Sequence, residues 1–124
     1  RNTDEATLQR AEAELAAFLQ RLADDEGVQV HTRRLVRFEP VRFDERLVQL
    51  IEGHARQRGH VTRRMTSGAG HDAQMMARIA PAAMIFVPSV NGISHNPREH
   101  TEPADLLRGA EVLRDLLLAL AAEG

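Results

Sequence analysis

Apolar residues in this chain recur with two different periods, and the alternation between them restricts the fold more than any other feature of the sequence. Leu8, Ala11, Leu15, Phe18, Leu19 and Leu22 follow helical spacing and share one face. Thr3 stands where a capping hydroxyl is wanted, Asp4 and Glu5 suit the positive helix end, and Gly27 suits the stop. From Val28 to Phe38 the period becomes two. Val28, Val30, Val36 and Phe38 share one parity, with His31, Arg33 and Arg37 on the other. That pattern predicts a half-buried strand of an antiparallel sheet, ended by Pro40. Helical spacing returns after Asp44 with Leu47, Leu50, Ile51 and Ala55, closed by Gly59.

The same reasoning predicts a short strand over His60 to Thr66, a loop over Ser67 to Gly70, and a short helix over His71 to Ile79 with Met75, Met76 and Ile79. The compact apolar run Ala83 to Val87, between Pro81 and Pro88, suits a buried strand. Pro88 to Thr101 is too rich in Pro, Gly, Asn and Ser for regular structure. Pro103 can open a last helix carrying Leu106, Leu107, Ala110, Leu113, Leu117 and Leu120. The expected class is therefore α/β, with helices and strands in strict alternation. The best boundary lies at Glu39 to Phe43, giving residues 1–40 and 41–124 as separate parts. One helix and one strand cannot close a core, so residues 1–40 read as half of a lobe whose complement is expected upstream.

Composition narrows the function. The 124 residues carry a formal net charge of −2, with 43% hydrophobic and 27% charged residues, as in an ordinary globular chain. No basic stripe invites nucleic acid or an anionic membrane, and with no Trp or Tyr and only four Phe the chain offers almost no stacking platform for single strands. The longest apolar run, Leu116 to Ala122, is too short to span a bilayer, and the polar stretch Arg1 to Glu5 does not read as a signal peptide. A cytoplasmic location is the expectation. With no cysteine, any metal must be held by histidine and carboxylates.

Two loops stand out. In Ser67-Gly68-Ala69-Gly70-His71-Asp72-Ala73 the glycines permit close approach of the backbone to a ligand, and the following amides can face an anion or a carbonyl oxygen; a tight turn leading into a helix fits the same residues. The second loop, Phe86 to His100, follows an expected strand, the place where α/β folds bind ligands. His95 stands there as a candidate metal ligand, with Glu99 near enough to orient it; from the residues alone a plain surface-loop histidine fits slightly better. His95, Glu99 and His100 do not form a helical zinc motif, because Pro97 interrupts them. His31, His54 and His60 lack a carboxylate pattern and read as structural. A catalytic zinc needs about three protein ligands, and His95 is the only convincing one here.

Taken together, Ser67-Gly68-Ala69-Gly70-His71-Asp72-Ala73, Met84-Ile85-Phe86-Val87-Pro88-Ser89 and Gly92-Ile93-Ser94-His95-Asn96-Pro97-Arg98-Glu99 closely resemble the C-terminal signature of the amidase/hydantoinase/carbamoylase family of metallohydrolases. That family includes N-carbamoyl-L-amino-acid hydrolases, allantoate amidohydrolases and β-alanine synthases. A weaker likeness extends over the whole chain. The resemblance implies that His95 is the last ligand of a dinuclear site holding Zn or Mn, with Co or Ni also admissible. It implies that Gly70 contacts substrate through its backbone and that Arg1 binds the substrate carboxylate. His71, Asp72 and Glu99 would line the site. The family's other metal ligands and its catalytic Glu have no counterpart in this sequence, so no catalytic residue is expected within it.

The resemblance further implies the architecture. Residues 1–40 match the second half of an α+β lid or dimerisation domain, through which a homodimer is expected. Residues 41–124 match the C-terminal segment of an aminoacylase-like catalytic domain. The expected parent reaction is hydrolysis of the C–N bond of an N-carbamoyl-L-amino acid or related ureido acid, with the 124-residue chain inactive alone. Two alternatives remain: an aminoacylase or peptidase of the same superfamily, and a non-catalytic folding or assembly module.

Overall fold

The computed structural model describes residues 2–123. Four α-helices and one 3₁₀ turn make up its regular structure: α1 over Glu5–Glu26, α2 over Glu45–Gln57, α3 over Ala73–Met76, the turn over Val90–Gly92, and α4 over Pro103–Ala121. The chain divides into two compact units. One is Arg1–Arg42 with Thr66–Gly68; the other is Phe43–Met65 with Ala69–Gly124.

In the first unit, the cap of α1 falls one residue later than expected. Asp4, not Thr3, accepts the Thr7 amide through Oδ2 at 2.7 Å. A carboxylate makes the stronger, charge-assisted cap. This bond holds the Asp4 carboxyl below its usual range. Gly27 closes the helix in the left-handed conformation (φ 64), where a Cβ is disfavoured. The following segment is held to α1 by Arg37. Its Nε donates to both Glu12 oxygens at 3.0 and 3.1 Å, and its Nη2 to Glu5 Oε1 at 2.5 Å. Glu5 and Glu12 are two helical turns apart, so one guanidinium spans both.

The second unit is built on α2 and α4. Asp44 caps α2 as the sequence predicts, accepting the Leu47 amide at 2.9 Å. Its own amide donates to the Ala82 carbonyl at 2.9 Å, tying the start of α2 to the segment after α3. Pro103 opens α4 at its first turn. The helices pack against each other, and among the described residues the buried apolar side chains are Ala55 from α2 with Val112 and Leu116 from α4. Arg46, near the start of α2, pairs with Glu123 at the end of α4, and Arg58, at the end of α2, pairs with Glu111 and Asp115. The two helices therefore run antiparallel. Gly109 lets the Ala83–Val87 segment lie against α4: a Cβ at Gly109 would come within 2.5 Å of Val87 Cγ1.

Of the expected α/β pattern, the helices form and the strands do not among the described residues. Among the described residues there is no strand, and Val28 to Phe38, His60 to Thr66 and Ala83 to Val87 are all irregular. The physical reason is that alternation marks a segment as suited to a sheet, whereas a strand exists only when a second segment supplies the opposing ladder. The helix expected over His71 to Ile79 is also shorter. After Met76 the chain continues in turns, with Arg78 and Ile79 donating three residues back at 3.1 and 3.0 Å. So short a helix is marginal unless packing holds it, and Met75, Met76 and Ile79 are exposed.

Candidate functional site

The site residues proposed from sequence fall on two segments of the second unit, apart from Arg1, which lies outside the described residues. The first segment leads into α3. Ala73 donates its amide to His71 Nδ1 at 3.0 Å, so the imidazole caps this turn and leaves Nε2 as its donor. Asp72, at the formal cap position, makes no capping hydrogen bond. Gly70 is exposed; a Cβ there would meet only Gln74 Oε1, at an ordinary 3.8 Å. Among the described residues nothing crowds a Cβ at this position, and its exposed backbone is open to a ligand.

The second segment is the loop after Val87. Its base is cross-tied. Val90 donates its amide to the His100 carbonyl at 2.8 Å, and the Ser89 hydroxyl donates to the carbonyls of Ile93 and, at 3.3 Å, His100. Asn91 and Gly92 both adopt positive φ (58 and 65), the turn that an Asn-Gly pair favours. At the far side, His95 is exposed and has φ 55. Its amide donates to Glu99 Oε2 at 2.7 Å. Glu99 thus reaches His95 through the main chain rather than the ring. The imidazole of His95 makes no hydrogen bond or ion pair to any described residue.

An exposed imidazole with neither nitrogen engaged is chemically fit to be one metal ligand. A whole site is another matter: among the described residues, no group of three or more His, Asp or Glu side chains could hold a metal ion. The donor set fits a contribution of one ligand. Gly70, His71 and Asp72 make no hydrogen bond or ion pair with His95 or Glu99. The remaining histidines are dispersed, His31 and His100 exposed and His54 and His60 half-buried, with His60 Nε2 lacking a partner. No helix among the described residues is long and apolar enough to cross a membrane.

A cluster of ion pairs lies away from these loops. Arg58 Nε and Nη2 grip Asp115 at 2.5 and 3.1 Å, its Nη1 reaches Glu111 at 2.9 Å, and Arg114 adds a bond to Asp115 at 3.0 Å. The Arg58 hydrogen bond, working against partial desolvation, holds the Asp115 carboxyl down to about 2. This clamp joins α2 to α4 and belongs to the scaffold.

Comparison with known proteins agrees with the loop signature. A model of "Peptidase family M20/M25/M40" matches residues 4–119. The chain is 38% identical to an allantoate amidohydrolase of Bacillus subtilis and 36% identical to an N-carbamoyl-L-amino-acid amidohydrolase of Rhizobium meliloti. Each match covers 98% of this chain and 29% of the relative. A crystal structure of an amidase of the hydantoinase/carbamoylase family from Burkholderia multivorans superposes with a TM-score of 0.89 at 39% identity, over 96% of this chain and 29% of that one. The chain thus spans about 29% of the length of the curated relatives it matches. With the match running from Asp4 to Ala119, the chain belongs to peptidase family M20/M25/M40, where its relatives include amidohydrolases and hydantoinase/carbamoylase amidases.

Proposed function

We propose that this chain is the C-terminal portion of a metal-dependent amidohydrolase that cleaves the C–N bond of N-carbamoyl-L-amino acids or related ureido acids. The observation that carries the reading is the cross-tied loop presenting the free imidazole of His95, in a chain 36–38% identical to enzymes with those activities. His95 would be one ligand of a dinuclear divalent-metal site, zinc or manganese. When bound, such a centre supplies an activated water and polarises the scissile carbonyl. The chain's own contribution is narrower. His95 offers one nitrogen from a fixed loop, and Gly70 offers bare backbone to the substrate. His71 shapes the turn beside Gly70. Arg1 is assigned to the substrate carboxylate on the resemblance alone, a task suited to a guanidinium fork.

In this reading, residues 1–40 are half of a lid or dimerisation domain of α+β type, and residues 41–124 are the end of the catalytic α/β domain. The three segments expected as strands become strands only against ladders supplied by the rest of the polypeptide. The family's description as peptidases keeps a second reading alive, hydrolysis of ordinary amides. A substrate panel separates the two. The full-length polypeptide is expected to turn over N-carbamoyl amino acids or ureido acids in preference to N-acyl amino acids and dipeptides, and the 124-residue chain alone to turn over none. Preference for dipeptides, or turnover by the isolated chain with stoichiometric metal, would overturn the proposal.

A further inference from the structure

We propose that Glu99 is a positioning residue for His95, fixing its main chain in the left-handed conformation and so setting where the imidazole stands. The proposal rests on the reading of His95 as a metal ligand and adds the group that orients it. His95 has φ 55, a left-handed region that crowds Cβ against the backbone and is uncommon for residues other than glycine, although histidine is among those that enter it more readily, so a group that fixes it there sets where the imidazole stands. The holding group is the Glu99 carboxylate, which accepts the His95 amide at 2.7 Å in a charge-assisted bond.

Glu99 has little freedom of its own. Its amide donates to the Asn96 carbonyl at 2.9 Å, the Arg98 amide donates to Asn96 Oδ1 at 3.0 Å, and Pro97 fixes the dihedral between them. The next residue, His100, gives its carbonyl to Val90 and Ser89 at the loop base. Two residues before Ser89, Val87 lies against Gly109 of α4. A continuous path of contacts therefore runs from α4 through the loop base to Glu99 and into the His95 main chain. None of its bonds uses the imidazole. A carboxylate bonded to the ring would orient the ligand but occupy one nitrogen; here orientation comes through the backbone and both nitrogens stay available.

The test uses the full-length polypeptide carrying this sequence, as wild type, Glu99→Ala, Glu99→Gln and His95→Ala. Two quantities are read: Zn²⁺ affinity by chelator competition, and hydrogen exchange at the His95 amide. Glu99→Ala is expected to speed exchange at that amide and to weaken Zn²⁺ binding about 10–100-fold, the range seen when a group that orients a ligand is removed. Glu99→Gln, which keeps an oxygen acceptor in place, is expected to restore most of both. Wild-type exchange and affinity in Glu99→Ala, alongside zinc loss in His95→Ala, would overturn the positioning role and leave the ligand reading standing. Weakened affinity with unchanged exchange would overturn it too, since the effect would not pass through the backbone. Full zinc content in His95→Ala would instead overturn the ligand reading, and the proposal with it.

Discussion

His95 donates its amide to a carboxylate four residues on and keeps its ring unbonded, and this division of labour could not be read from the residues themselves. The loop was legible, because Pro88, the Asn91-Gly92 pair and Pro97 are punctuation whose effect is local. The left-handed backbone at His95 was not, because it is imposed by a side chain across a turn. The same holds for His71, which accepts the Ala73 amide while Asp72, at the formal cap position, makes no capping bond. Gly70 can be tested independently of fold. Because a Cβ there meets nothing closer than 3.8 Å, Gly70→Ala is expected to change stability by less than about 0.5 kcal/mol. In the full-length enzyme it is expected to raise KM for a carbamoyl substrate by about tenfold, as a lost close contact would. Thermal unfolding and steady-state kinetics check both halves. A destabilised protein with unchanged KM would assign Gly70 to the scaffold.

Helix ends were read well wherever the signal was a single residue with a fixed local effect. Asp44, Gly27 and Pro103 do what their chemistry demands. Strands were not, because alternation in Val28 to Phe38 describes a surface and not the ladder that would complete it. Two predictions belong to the α2–α4 pair. Gly109→Ala gains helix propensity of up to about 1 kcal/mol but drives a methyl into Val87, an overpacking cost of about 1–3 kcal/mol. The net expectation is destabilisation, measured by denaturant unfolding of the full-length protein and relieved by Val87→Ala in the double variant. The Asp115 carboxyl is held down to about 2, below the ordinary 3.8. A lowered folded-state value means that its contribution is complete above about pH 4 and is lost as pH falls through about 2. Wild type is therefore expected to lose more stability than Asp115→Asn between pH 4 and pH 2, and parallel curves would contradict the clamp.

At the scale of the whole molecule, the described residues bury few apolar side chains for so apolar a chain. Ala55, Val112 and Leu116 are buried, while Leu106, Leu113 and Leu117 continue along a neighbouring face of α4 in the open, as do Leu15 and Phe18 on α1. With 29% of the relatives' length in hand, such faces are expected to be covered by the rest of the polypeptide, as the metal ligands are expected to be completed by it. The family was legible in the sequence through three short motifs. The full site was not, since among the described residues no group of three or more His, Asp or Glu side chains could hold a metal ion. The most direct test of the account is the metal content of the full-length protein with and without the His95 imidazole, by elemental analysis of purified wild type and His95→Ala. The account predicts two divalent ions per protomer in wild type, with one lost in the variant and turnover of carbamoyl substrates lost with it. Unchanged metal content and unchanged turnover in His95→Ala would contradict it.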